Sequence, residues 1–229
     1  MHYLLTHQKA AWDLTAIHLR LSLLPVLIGL VIAVPAGVLV QRAKSVRRLI
    51  TVTASVVFTI PSLALFVMLP LLIPTRILDE ANVIVALTLY TSALLVRAVP
   101  EALDAVPAQV CDAATAIGYT PFTRVLKIQL PLALPVLVAS LRVVVVTNIS
   151  MVAVGSVIGI GGLGGWFTEG FQTDKSDQIV AGIIAVFGLA TGIDFLIMLT
   201  GRLATPWERM SRGGGRLRLF KMPIVGGAR

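Results

Sequence analysis

Two charged residues fall inside long apolar runs of this 229-residue chain: Arg142 within Leu132–Ile158 and Asp194 within Gln178–Leu203. A charge in hydrocarbon is costly unless it is paired or hydrated, so such a residue is a functional-site candidate by default. Arg142 lies eleven residues beyond Pro131, and Asp194 eight before Arg202. At about 1.5 Å per residue, both stand roughly 12–17 Å from the corresponding ends of their helices. That matching depth predicts an ion pair tying the two helices together; contact with a passing solute is the other reading. Little else in the chain could do chemistry. Cys111 is the only cysteine, so no internal disulfide or cysteine-based zinc set can form. His2, His7 and His18 all precede the first apolar run, and no Gly-x-Ser-x-Gly occurs. A nucleophile and base inside a bilayer are therefore not expected, and no catalytic or metal-binding residue is assigned.

The two charges need helices that cross a bilayer, and the composition supplies them. Hydrophobic residues make up 57% of the chain and charged ones 13%, a balance found in polytopic membrane proteins. The apolar runs predict an all-α integral membrane protein with five spans, at about 21–40, 49–73, 82–96, 132–158 and 178–203. Residues 1–20 read as an external amphipathic lead-in with Trp12 at the interface, and no cleavable signal peptide is evident. Residues 21–205 make up the transmembrane domain, and 206–229 a basic tail. Pro61 and Pro70 interrupt the second span. Pro61 removes a backbone donor and Ser62 offers a hydroxyl, so a kink lining a pathway stands beside a merely packed kink. Gly159–Asp177 reads as a glycine-rich loop, and its Gly159–Gly165 run lacks the Lys-Ser/Thr that closes a phosphate-binding loop.

Basic residues set the orientation of such a chain. Arg42, Lys44, Arg47 and Arg48, then Arg97, Arg124 and Lys127, then seven more from Arg202 onward fall on one side. Lys9, Arg20, Arg76 and Lys175 fall on the other. The bias places the N-terminus outside and the C-terminus in the cytoplasm. The formal charge of +8 is thus concentrated at the ends of spans, and no basic face with interleaved aromatics suggests nucleic acid.

The longest polar interruption, residues 97–131, falls on the cytoplasmic side. Val106, Val110, Ala114 and Ile117 share one helical face there, with Asp112 on the other. Gly118 stands where a helix C-terminus favours positive φ, and Thr120-Pro121 offers a cap and a first-turn proline. Two short helices joined by a tight bend are expected. They would form a knob that another protein could grip.

Asp112-Ala113-Ala114, Gly118, Ile128, Leu130 and Pro131 resemble the cytoplasmic EAA motif of ABC-importer permeases in residue type and spacing, with Asp for the usual Glu. Within that superfamily, Ile60-Pro61-Ser62-Leu63-Ala64-Leu65, His18-Leu-x-Leu-Ser22 and Gly159-x-Gly-Gly-Leu-Gly164 resemble permeases of glycine betaine, carnitine, choline and proline importers. Arg97-Ala98-Val99 departs from that subfamily, where Arg-Asn-Thr is expected. The likeness covers about residues 14–205.

The resemblance implies a five-helix type I importer permease, like that of the methionine importer, in the bacterial cytoplasmic membrane. It implies no cofactor on this chain: ATP and Mg belong to two partner ATPase subunits, which grip the segment from Asp112 to Pro131. A second permease chain, identical or homologous, and an extracytoplasmic binding protein complete the expected assembly. The expected cargo is a quaternary-amine compatible solute. An amino-acid importer such as one for methionine is the alternative, and an ATP-independent channel or secondary transporter a more distant one.

Overall fold

A computed structural model describes residues 2–207, and these are helical with no strand among them. The basic tail expected at 206–229 lies almost wholly outside the described residues. Among the described residues, four helices are long and apolar enough to cross a membrane, and a fifth span is completed only if one sharply bent pair is counted.

A short helix α1 (His2–Thr6) leads into α2 (Gln8–Arg42), which runs unbroken for 35 residues. The lead-in expected to stand apart from the first span is therefore mostly the beginning of the same helix. Most of residues 8–20 are exposed or half-buried, but His18 is fully enclosed, as are Leu21 and Ser22 at the start of the expected span, so the helix is anchored in the core from His18 onward. The helix carries Pro25 and Pro35 inside it.

The second expected span is two helices, α3 (Lys44–Thr59) and α4 (Ser62–Met68), the latter extended by a 3-10 turn, Leu69–Leu71. They meet at 89°. Ile60 and Pro61 adopt extended backbone between them, consistent with the restriction a proline imposes on its predecessor. The next helix, α5 (Glu80–Asp104), is longer than the 82–96 span read from the sequence. Asp79 caps it by accepting the Ala81 N–H at 2.9 Å, and Pro100 is absorbed within the helix, fully buried. The first eight residues of the expected polar segment thus belong to this helix.

The polar segment then folds as α6 (Ala108–Ala116) and α7 (Pro121–Arg124), and a π turn, Val125–Gln129, feeds into α8 (Leu130–Gly155). A helix the loop reading missed, α9 (Gly165–Gln172), follows the glycines, before α10 (Ser176–Ala204).

Helices α2, α5 and α8 make the centre of the bundle, packed in three successive layers. Leu21, Phe66, Leu87, Tyr90 and Val152 form the layer at one end. Val26, Ala33, Leu95, Val145 and Ile149 form the middle. Val99, Leu103, Val106, Val125 and Ala133 close the end that carries α6 and α7. The α2–α5 seam is set by Gly29, Ala33 and Gly37, four residues apart on one helix face. A Cβ on Gly29 would stand 2.4 Å from Thr91 Cγ2, and one on Gly37 2.6 Å from Val99 Cβ. Small residues at this spacing let two helix backbones approach closely in a membrane.

Candidate functional site

The bend between α6 and α7 is built from its caps. The Gly118 N–H donates to Thr115 O at 3.0 Å and the Tyr119 N–H to Ala114 O at 3.1 Å, the double bond of a Schellman turn. Gly118 takes φ +92°, a left-handed value at which a Cβ is strained even though open space surrounds it. One residue on from Tyr119, Thr120 Oγ1 accepts the Thr123 N–H at 3.3 Å, and Pro121 occupies the first turn. Arg124 Nη1 then donates to Thr115 Oγ1 at 2.8 Å, lashing α7 to α6. Gln129 Nε2 reaches Cys111 Sγ at 3.3 Å from the π turn. That turn arises one step before Pro131. The Leu130 N–H bonds to Val125 O, five residues back, which suits a helix that must avoid the clash of a proline ring with the preceding turn.

The result is a short elbow rooted in the core by Val106, Ala114 and Val125. Its outer face holds Asp112, Ala113 and three apolar side chains: Ile117 (77% exposed), Phe122 (62%) and Leu126 (45%). Of the four residues read onto one helical face, Val106 and Ala114 are buried, while Val110 and Ile117 are exposed. Ile128 and Leu130 are half-buried, and Pro131 is exposed. Apolar groups exposed on a polar segment make a surface of the kind that partner proteins cover. Their signal was present in the sequence as Ile117, Phe122 and Leu126 interrupting the chain's most polar stretch.

Arg142 and Asp194 meet between α8 and α10. Arg142 Nε donates to Asp194 Oδ1 at 2.7 Å and Nη2 to Oδ2 at 2.6 Å, a planar two-point bridge. Both side chains are about one-third exposed, which leaves the pair at a surface rather than sealed within the protomer.

At the α3–α4 break, Pro61 is exposed and Ser62, the first residue of α4, is half-buried. The break leaves the Ile60 carbonyl without a helical partner, and the Tyr90 hydroxyl of α5 donates to it at 2.5 Å. Phe58 packs edge-on against the Tyr90 ring with centroids 5.4 Å apart. A groove of about 270 Å³ beside the break is lined by Ser55, Phe58, Thr59 and Arg97.

One residue acquires a role that its sequence position did not reveal. His18 Nδ1 accepts the Leu163 N–H at 3.2 Å, and Nε2 donates to Ile149 O at 3.0 Å. Gly162, at φ +107°, lies so close that a Cβ would stand 2.9 Å from Nδ1. The stretches His18–Ser22 and Gly159–Gly164, which looked like separate family signatures, are thus two sides of one contact. The glycine segment is a closely packed turn. His18 lies inside α2 rather than ahead of an apolar helix, yet both its ring nitrogens are committed to backbone, so it is not a free base. Among the described residues, no cluster of His, Cys, Asp or Glu could hold a metal ion.

Comparison with known proteins agrees with this architecture. Residues 26–205 match the family model described as binding-protein-dependent transport system inner membrane component. The osmoprotectant import permease OsmW of Salmonella typhimurium is 35% identical, over 90% of this chain and 97% of its own length. The glycine betaine/carnitine/choline transport system permease OpuCB of Bacillus subtilis is 31% identical, over 84% of this chain and 87% of its own. Among solved structures, the inward-facing MetNI methionine ABC transporter matches with a TM-score of 0.75 and 26% identity, over 90% of this chain and 98% of that one.

Proposed function

This chain belongs to the inner-membrane components of binding-protein-dependent transport systems, and we propose that it is the permease subunit of an ATP-driven importer of quaternary-amine compatible solutes. It is a multi-pass protein of the cytoplasmic membrane and a transport subunit of the ABC-importer class. The observation that carries the amine reading is the near full-length likeness to osmoprotectant permeases, at higher identity than to the methionine importer. Glycine betaine, choline, carnitine and proline are the solutes in view.

In this reading the α3–α4 pair counts as one span, giving five, with the N-terminus outside and the C-terminus in the cytoplasm as the basic residues dictate. Two ATPase subunits hold ATP and Mg and receive the elbow, one per permease chain. Asp112 offers a charge and Ile117, Phe122 and Leu126 an apolar anchor, while Ala113 allows close approach. ATP binding draws the ATPases together and turns the elbow. Because α7, the π turn and α8 are continuous, with Ile128, Leu130 and Pro131 at the joint, the motion passes directly into α8. Hydrolysis resets the pathway. An extracytoplasmic binding protein delivers the solute, and a second permease chain completes the path, with the break at Pro61 and Ser62 along it.

The test is uptake of radiolabelled glycine betaine at high salt in a host lacking its own osmolyte importers. The host expresses this chain with its ATPase and binding protein. Uptake that disappears when this chain or ATP hydrolysis is removed is the expected result. A complex that assembles and hydrolyses ATP but carries no betaine, choline or carnitine would overturn the amine reading.

A further inference from the structure

The Arg142–Asp194 bridge does not stand alone: two open cavities adjoin it and share Val146 and Asp194 in their linings. One, of about 450 Å³, is lined by Asp194, Thr191, Ser150 and the rings of Phe167 and Phe187. The other, of about 470 Å³, is lined by Arg142, Thr147, Val146 and again Asp194. Both volumes fall within the roughly 300–1,000 Å³ range of small-molecule sites. The lining recurs at helical spacing: Phe187, Thr191 and Asp194 on α10, and Arg142, Val146 and Ser150 on α8. The Thr147 and Ser150 hydroxyls are bonded to the carbonyls of Val143 and Val146 one turn back, but an intramembrane face that carries a charge pair is unsuited to lipid. Such groups line bundle interiors or water-filled cavities.

Resting on the amine reading above, we propose that this face is a solute site selective for zwitterionic amines, with the ion pair as its complement. A quaternary ammonium has no N–H to donate. It is held by aromatic faces and negative charge, which the first cavity supplies through Phe167, Phe187 and Asp194. A carboxylate is held by guanidinium N–H groups. The bridge uses Arg142 Nε and Nη2, which leaves Nη1 without a partner among the described residues. A betaine lying across the bridge would set its ammonium toward Asp194 and its carboxylate toward Nη1. The two dipoles then run antiparallel, and the protein pair need not break. Choline, with the cation but no carboxylate, would engage only the first cavity.

The experiment is equilibrium binding of radiolabelled glycine betaine and of choline to the permease–ATPase complex in nanodiscs, without the binding protein. The wild-type complex is expected to bind betaine at least tenfold more tightly than choline. Arg142→Gln is expected to erase that preference by weakening betaine at least tenfold, with choline bound as well as before or more tightly, since Asp194 loses its competing cation. Asp194→Asn weakens both. Phe187→Ala, which leaves the bridge intact and so does not depend on the fold tolerating a lone charge, also weakens both. Parallel loss of betaine and choline in Arg142→Gln would show the pair to be a structural tie and overturn the proposal. So would a wild-type complex that imports betaine once given its binding protein yet binds neither amine without it. A complete complex that imports no amine at all overturns the amine reading itself, and this proposal with it.

Discussion

The α2–α5 pair and the α8–α10 pair are similar in length and apolar content but differ in what surrounds them. Within their membrane-length windows, 33% of α2 and 44% of α5 residues are buried inside the protomer, against 17% for the α8 segment and 11% for α10. The first pair is joined through Gly29, Ala33 and Gly37, and Arg20 of α2 bridges to Glu80 of α5 near one end. Gln41 of α2 donates to Asp104 at 3.1 Å just past the other end of the seam. The second pair is in close contact near the elbow end, where a Cβ on Gly201 would meet Val138 at 2.5 Å. Farther along it is held by a charge pair that two cavities adjoin. One seam is a scaffold, made rigid by contacts that leave no room. The other leaves its charge pair about one-third exposed at the surface of the protomer.

The sharpest way to break this contrast is to add bulk to each seam. Gly29→Leu is expected to abolish assembly, measured as the yield of intact complex on size exclusion, since even a Cβ collides with Thr91. Gly29→Ala should already cost about 1–3 kcal/mol as an overpacked contact. On α10, by contrast, a Cβ added at Gly192 would meet nothing within 4 Å. Gly192→Ala should leave the protomer as stable as wild type or up to about 1 kcal/mol more so, as a glycine removed from a helix. Equal loss from both alanine variants would erase the distinction between scaffold and open face.

The next effect tests the proposed route by which motion enters the open pair. Gly118→Val places a β-branched side chain at φ +92°, which such residues avoid. Uptake is expected to fall more than tenfold while ATP hydrolysis persists, because the elbow deforms without touching the nucleotide sites. Normal transport in that variant would remove the elbow from the coupling path.

A smaller, more diagnostic effect concerns the charge pair. Arg142→Ala and Asp194→Ala each leave a lone charge in a span, whereas the double variant leaves none. Removing one partner is generally worse than removing both. The expected order of expressed, assembled complex is wild type, then the double variant, then the single ones. If both single variants cripple expression and the double variant is no better, the two residues do not act as a pair.

These regions differed in how legible they were from the chain alone. The elbow could be read because its signals are local: Gly118 for a left-handed cap, Thr120 for an N-cap and Pro121 for a first turn all act within a few residues. The Arg142–Asp194 contact could be read because charge depth along a helix is arithmetic. Helix α9 could not, because Gly159–Gly165 dominates the local pattern. The helix is held by tertiary contacts, with Trp166 buried and Gly170 packed so tightly that a Cβ would lie 2.8 Å from Ile179 Cγ1. His18 was hidden for the same reason, since its partners lie 131 and 145 residues away. The continuous α2 was missed because the polar residues near its start are mostly exposed, and only His18 among them is buried with its partners inside the bundle. Farther along the helix, the Ser22 carbonyl accepts from Asn148 Nδ2 at 3.3 Å, and the same amide donates to Thr91 Oγ1 at 3.0 Å.

The broken span shows the same limit and carries the smallest predicted effect. Pro61 announces a break, but no local rule sets its angle at 89°. What holds the two halves is the Tyr90 hydroxyl on the Ile60 carbonyl, contributed by a helix of the scaffold pair. Tyr90→Phe keeps the ring, its burial and its edge-on contact with Phe58, and removes that one donor. An intramembrane hydrogen bond is worth about 0.6 kcal/mol on average and at most about 1.7, so the thermal midpoint of the complex should fall by only a few degrees. Uptake should fall two- to threefold, because the freed carbonyl lets α4 shift against α5 while leaving the rest of the seam packed. Tyr90→Leu, which also removes the ring, should be clearly worse. If Tyr90→Phe matched wild type in both stability and uptake, the angle of the break would be set by the packing of Phe66 and Leu69 in the core layer instead. The scaffold pair would then constrain the broken span through shape alone.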